Sequence, residues 1–209
     1  MSQDVAPTRS EELRLKERIE LAENGHSILE KKRDGLIHEF MQVVGEARSV
    51  NEELADRFSS AKEALDEARV FDGEQKLRAS ALGSADNIEI ESDTRNIMGV
   101  VVPEIESDEI RTDVLDRNYS VSGSSGHIDA AADEHEKLLE KIIEAAEIQT
   151  KVLKLLDEIE KTKRRVNALE HKTIPELNDS LSYVSQTLME EEREETFRMK
   201  KIKDMQDDQ

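Results

Sequence analysis

"LKERIELAENGHSILEKKRDGLIHEFMQVVGEARSVNEEL", residues Leu15–Leu54, decides the fold. Leu15, Ile19, Ala22, His26, Leu29, Arg33, Leu36, Phe40, Val43, Ala47, Val50 and Leu54 follow one another in alternating steps of four and three. A mean spacing of about 3.5 residues keeps one stripe against a partner helix in a left-handed supercoil. Upstream, Thr8 and Glu11 stand at capping-box spacing, so a helix is expected to open there. Downstream, Phe58 breaks the step by one residue and the pattern resumes at Ala61, Leu65 and Ala68. Gly73, within "FDGEQ", is the expected stop.

A second run begins after "SGSSGHID". Leu138, Ile142, Ala145, Gln149, Val152, Leu156, Ile159, Lys163 and Val166 are read as its seam. The seam continues as Leu169, Thr173, Leu177, Leu181, Val184 and Leu188, with local slips around Pro175. Two such helices in one chain fold back most simply as an antiparallel hairpin; a parallel homodimer through either helix is the alternative that the pattern leaves open. At 1.5 Å per residue the helices would be roughly 90 and roughly 110 Å long, so the second is expected to overhang the first. The expected class is therefore all-α: a long antiparallel two-helix coiled coil with a small middle segment containing a β-hairpin. The expected segments are 8–72 for the N-terminal helix, 73–127 for the middle and 128–205 for the C-terminal helix.

In the middle, "NIEIES" alternates Ile88 and Ile90 with polar residues, and "NIMGVVVPEI" is a β-branched run. A hairpin is expected at about 88–102, with strands Ile88–Ser92 and Ile97–Val102 turned by "SDTR"; Ile88, Ile90, Ile97, Val100 and Val102 carry it. "SVSGSSG", Ser120–Gly126, reads as a flexible loop.

Composition excludes several functions. The chain has 209 residues, 49 acidic and 30 basic, for a net charge of −19. A phosphate backbone needs a basic stripe to release counterions, so nucleic acid is not an expected partner. The residues are 38% charged and only 3% aromatic, which suits long helices better than a thick core. There is no cysteine, so thiol chemistry and cysteine-ligated metals are out. "MSQDVAPTRSEEL" lacks the basic start and apolar run of a secretory signal. No apolar run approaches the ~18 residues a spanning helix needs, so a soluble chain without direct membrane insertion is expected.

"GSSG" at Gly123–Gly126 lacks the lysine and spacing of a phosphate loop, and "HEF" at His38 does not continue as a zinc motif. "DEHE" at Asp133–Glu136 reads as a solvated face, because adjacent helix positions diverge. No catalytic residue, cofactor or metal is expected. His26 and Arg33 interrupt the seam, either to fix register or to touch another subunit. Lys161–Arg165 is a basic cluster in an acidic chain. Pro175 removes the helical bond to the carbonyl of His171 and is expected to kink the helix, not end it.

Four stretches carry a resemblance. "APTRSEELRLKERIELAENGHSILEKKRDGLIHEF" (Ala6–Phe40), "NIMGVVVPEIE" (Asn96–Glu106), "TKRRVNALEHKTIPEL" (Thr162–Leu177) and "EREETFRMKKIK" (Glu192–Lys203) resemble the D subunit of the archaeal and vacuolar-type ATP synthases. The acidity is high for that family, and a high-salt cytoplasm would account for it. The resemblance implies a non-catalytic central rotor shaft on the cytoplasmic face of the membrane, peripheral to it. The implied partners are the catalytic A and regulatory B subunits, the small F subunit and the funnel-shaped subunit on the membrane ring. Both termini would sit in the bore of the A/B hexamer, where Arg193, Arg198, Lys200, Lys201 and Lys203 are expected to make contact. Arg164 and Arg165 are expected to dock a partner, and the hairpin becomes a candidate regulator of ATPase rate. The alternative reading is a free-standing coiled-coil scaffold; periodicity alone does not separate the two.

Overall fold

A computed structural model describes residues 6–83, 90–107 and 125–207. Helix α1 spans Arg9–Asp72, α2 Glu74–Gly83 and α3 Gly126–Ala168; a π-helical turn, Leu169–Thr173, joins α3 to α4, Ile174–Asp207. Strands β1 (Ile90–Ile97) and β2 (Val100–Ser107) form a two-stranded antiparallel sheet. The class is the expected one: all-α, with helices paired antiparallel and one small hairpin. Two compact units divide the chain, Met1–Asp34 with Ile159–Gln209, and Gly35–Glu158.

In the first unit α1 opens as its sequence expects. The Glu11 amide donates to the Thr8 hydroxyl at 3.2 Å, while the Glu11 carboxylate turns to Arg14, 3.6 Å away. Leu15 and Ile19 of α1 pack with Leu177 and Val184 of α4, flanked by Ala22, Leu181 and Leu188. The direction follows from two contacts: Arg9 bonds Glu192, and His26 lies 3.9 Å from Glu170. Moving forward along α1 moves backward along its partner.

Burial shows why the second seam slips. Leu177 and Val184 are both buried, seven apart; earlier in the chain Thr162 and Val166 are buried, and Ile159, Leu169 and Thr173 are half-buried. One layer runs 162, 169, then 177, 184; the other runs 159, 166, 173, then 181, 188. Each layer therefore takes one step of eight across the π-turn. Its signature bond, from the Ile174 amide to the Leu169 carbonyl, adds one residue to the turn and absorbs the surplus. Pro175 follows within α4, where the chain remains helical.

In the second unit Glu53 of α1 pairs with Lys141 of α3 at 2.7 Å, and Ser125 donates to Asp72, so these helices are antiparallel too. Gly73 takes φ +82 and ends α1, and the short α2 follows it. That helix has no counterpart in the sequence reading, which assigns no element between Gly73 and Ile88. At the start of α3 the Ser125 carbonyl accepts from Ile128 and Asp129, and Phe71 stacks on His127 with ring centres 4.4 Å apart.

Two seam assignments are corrected here. Leu156 is 43% exposed, and Gln149 and Lys163 are exposed as well; the buried layer lies one residue earlier, at Ile148, Leu155 and Thr162, while Ile142 is 45% exposed and its neighbour Ile143 is buried. Leu155 and Leu156 are equally apolar, so spacing from Leu138 selects the wrong one. Phe58 is 59% exposed and stands outside the seam. Leu54, Ala61 and Ala68 keep a seven-residue spacing past it, with Leu54 half-buried and both alanines buried, so α1 has no break in phase.

The hairpin is also corrected. Its turn is Met98–Gly99, not "SDTR": Asp93, Thr94 and Arg95 lie within β1, opposite Glu104, Pro103 and Val102. Met98 and Gly99 have φ of 52 and 88, the two positive values a tight two-residue hairpin turn needs. The Asn96 side chain accepts from the Gly99 amide at 2.8 Å. Ile90 and Ile97 are strand residues, Val100 and Val102 are buried, and Ile88 lies outside the described residues, as does most of the Ser120–Gly126 loop.

Candidate functional site

The most distinctive surface is the end of α4. Leu188 is the last residue on that helix packed against the α1 cluster. Continuing the two layers by sevens gives Glu191, Arg198 and Met205 in one and Glu195 and Ile202 in the other. Charge replaces apolar side chains at the seam, and α1 itself begins at Arg9, which bonds Glu192. Arg9 also reaches Glu12 at 3.1 Å, and Glu12 accepts from Lys16 at 2.8 Å. The Lys16 and Arg9 bonds hold the Glu12 carboxyl below the usual range against the opposing effect of its burial.

Every residue from Met189 to Met205, Glu192 included, is exposed. Arg193, Arg198, Lys200, Lys201 and Lys203 all lie on this stretch. Arg198 reaches Glu194 one turn back, at 3.1 Å. Among them Phe197, Met199 and Ile202 stand in water, Phe197 at 73% exposure. Sequence reasoning singles out the cations and misses these apolar neighbours, whose signal is a helical pattern persisting after the seam has become charged.

The other singled-out residues do not gather in one place. Arg164 and Arg165 are exposed on α3 just before the π-turn. His26 is half-buried, with Nδ1 3.6 Å from Glu30 and Nε2 3.9 Å from Glu170; Nε2 is buried without a hydrogen-bond partner among the described residues. Arg33 pairs with Asp34 at 2.9 Å and Glu30 at 3.7 Å. These seam interruptions therefore face local carboxylates.

One open depression of about 470 Å³ is lined by Ser59, Lys62, Glu63, Asp66, Glu67, Val70 and Phe71, all from α1. Groups from a single helix do not converge on a bound substrate as a cleft's do. No set of three or more His, Asp or Glu side chains among the described residues is arranged to hold a metal. No helix among them is long and apolar enough to cross a membrane.

Comparison with known proteins fits this helical architecture. The family model for the D subunit of ATP synthase matches residues 11–204. The chain belongs to that family. It is 50% identical over 203 residues to the A-type ATP synthase D subunit of Haloarcula marismortui, covering 97% of this chain and 88% of that one. The D subunit of the Methanosarcina mazei A-type enzyme is 49% identical over 201 residues, and that of Methanoregula boonei 50% over 200, each covering 96% of both chains. A member of this family is a subunit of a rotary ATP synthase. Association through other subunits also fits a member with no membrane-crossing helix among its described residues.

Proposed function

We propose that this chain is the non-catalytic central-stalk rotor of its ATP synthase, carrying rotation between the ion-translocating membrane ring and the catalytic A/B hexamer. The observation that supports this most is the exposed end of α4, a helix that runs on past its partner with five cations and an apolar set uncovered. A shaft inside a bearing must touch its surroundings and still slip. Exposed ion pairs are individually weak and exchangeable, so they suit such a contact better than a dry apolar interface does. An asymmetric shaft meets each catalytic interface differently and so biases each among conformations, as reciprocal coupling between sites requires.

In this reading Arg193, Arg198, Lys200, Lys201 and Lys203 face the A/B bore, and Arg164 and Arg165 dock a partner. The F subunit clasps the helix pair, and the other end meets the funnel-shaped subunit of the ring. The complex lies on the cytoplasmic face. Pro175 together with the π-turn bends the shaft toward its end, since both remove regular helical bonds within a few residues. The β1–β2 hairpin adjusts the ATPase rate; replacing it with a short Gly/Ser turn changes that rate while leaving assembly intact. The test of the whole reading is deletion of Glu190–Gln209. The truncated chain is expected to bring down the F subunit but to uncouple ATP hydrolysis from ion transport in the reassembled complex; full coupling would overturn the proposal.

A further inference from the structure

The hairpin touches α1 and α3. On α3, Glu147 accepts the Ile105 amide at 3.1 Å, and Lys154 donates to the Val101 carbonyl at 2.9 Å. Positions 101 and 105 point these groups away from β1, and Pro103 between them has no amide to offer. The outer edge of β2 is thus tied down along α3. On α1 the contact is of another kind. A Cβ on Gly35 would stand 2.5 Å from Cε and 2.9 Å from Sδ of Met98, so the thioether fills the notch left by the missing side chain. Gly25 and Gly45, the other glycines of α1, would meet nothing within 4 Å.

Met98 holds this position at a cost in backbone strain. Its φ of 52 crowds Cβ against the neighbouring carbonyl, and turns of this kind favour Asn, Asp or Gly there. A strained non-glycine residue persists where its surroundings over-determine it. The surroundings here are the Gly35 notch.

We infer that the hairpin is a removable strap across α1 and α3, hinged on α3 through Glu147 and Lys154 and latched on α1 by Met98 in the Gly35 notch. While latched, the strap resists sliding of α1 along α3, because the tip would be torn from its seat. The turn keeps its positive φ whether the tip is seated or lifted, so the Gly35 seat is what holds the tip on α1. Lifting moves the tip and leaves the β1–β2 ladder paired. The inference rests on the fold alone and does not depend on the rotor reading.

The chain has no cysteine, so spin labels can be placed at will. Labels at Thr94 on the hairpin and Gln42 on α1 of the full-length protein report the tip position by pulsed dipolar spectroscopy. The unaltered chain is expected to give one main distance. Gly35→Ala evicts the flexible thioether, and Met98→Gly relieves the strain while removing the latch. Each is expected to raise a longer-distance population at least five-fold, with Gly45→Ala leaving the distribution unchanged. Hydrogen exchange at the Arg95 and Val102 amides should stay within about two-fold of the parent in all three. A single unshifted distance in both Gly35→Ala and Met98→Gly overturns the strap, since the tip would then be held without its latch. Loss of amide protection in the ladder overturns it too, since the hairpin would be unfolding instead of lifting.

Discussion

The seam of α1 and the seam of α3 and α4 use the same apolar alphabet but differ in regularity. On α1 the seven-residue spacing holds from Leu15 to Ala68, and the residue that interrupts it in the sequence, Phe58, is simply exposed. On the partner side the spacing carries one surplus residue, taken up by the π-turn at Leu169–Thr173. The difference teaches that a heptad is read from which residues are covered, not from which are apolar. An exposed phenylalanine imitates a slip, while a real insertion hides among residues that fit either phase.

Single-residue deletions break this comparison hardest. Deleting His171 removes the surplus, so Leu177 and Val184 fall seven and fourteen after Leu169's place, as the layers before it do. A chain about as stable as the parent, with the π-turn lost, is expected in urea unfolding. Deleting Asp179 instead rotates Val184 and Leu188 off the seam, and a loss of about 3 kcal/mol or more is expected, comparable to emptying a core site. Equal losses from the two deletions would mean that the π-turn does not compensate for an insertion.

The adjacent leucines of α3 sharpen the comparison next. Leu155 is 0% exposed and Leu156 is 43% exposed. Leu155→Ala is expected to cost about 2–5 kcal/mol and Leu156→Ala under about 1 kcal/mol by the same measurement. Gly45→Ala works in the opposite direction. With nothing to collide with, it should stabilise the chain by about 0.5–1 kcal/mol through helix propensity alone.

The smallest expected effect is electrostatic. Lys141, bonding across from α3, holds the Glu53 carboxyl below the usual carboxylate range. A carboxyl lowered in the folded state contributes stability above its unfolded pKa of about 4.3, and loses it as pH falls through the lower folded value. Glu53→Gln should therefore flatten the acid limb of the stability profile slightly and change nothing at neutral pH beyond a loss that salt also produces. An unchanged acid limb would show that the pair contributes nothing measurable.

Much of the fold is legible in the sequence. The α1 seam from Leu15 to Leu54, the Thr8 start and the Gly73 stop follow from spacing and backbone chemistry that are local to the chain. The errors are equally physical. Leu155 and Leu156 cannot be ranked without the partner helix that covers one of them. Polar "SDTR" has the composition of a turn, whereas the backbone turns at Met98–Gly99, where a glycine supplies one positive φ and packing on Gly35 sustains the other. The candidate site is legible as a charged end, because Arg193 to Lys203 is visible in sequence. That the same stretch also leaves Phe197, Met199 and Ile202 uncovered depends on where α1 begins, which no local pattern in α4 reveals.

Direct observation of rotation tests the central claim. The chain would be labelled with a bead through a cysteine introduced at exposed Thr94, in an ATP synthase complex whose A/B hexamer is fixed to a surface. On adding ATP the bead is expected to turn in one direction in discrete steps, and to stop when ATP is exhausted. A bead that stays still while the same complexes hydrolyse ATP would contradict the reading of this chain as the shaft.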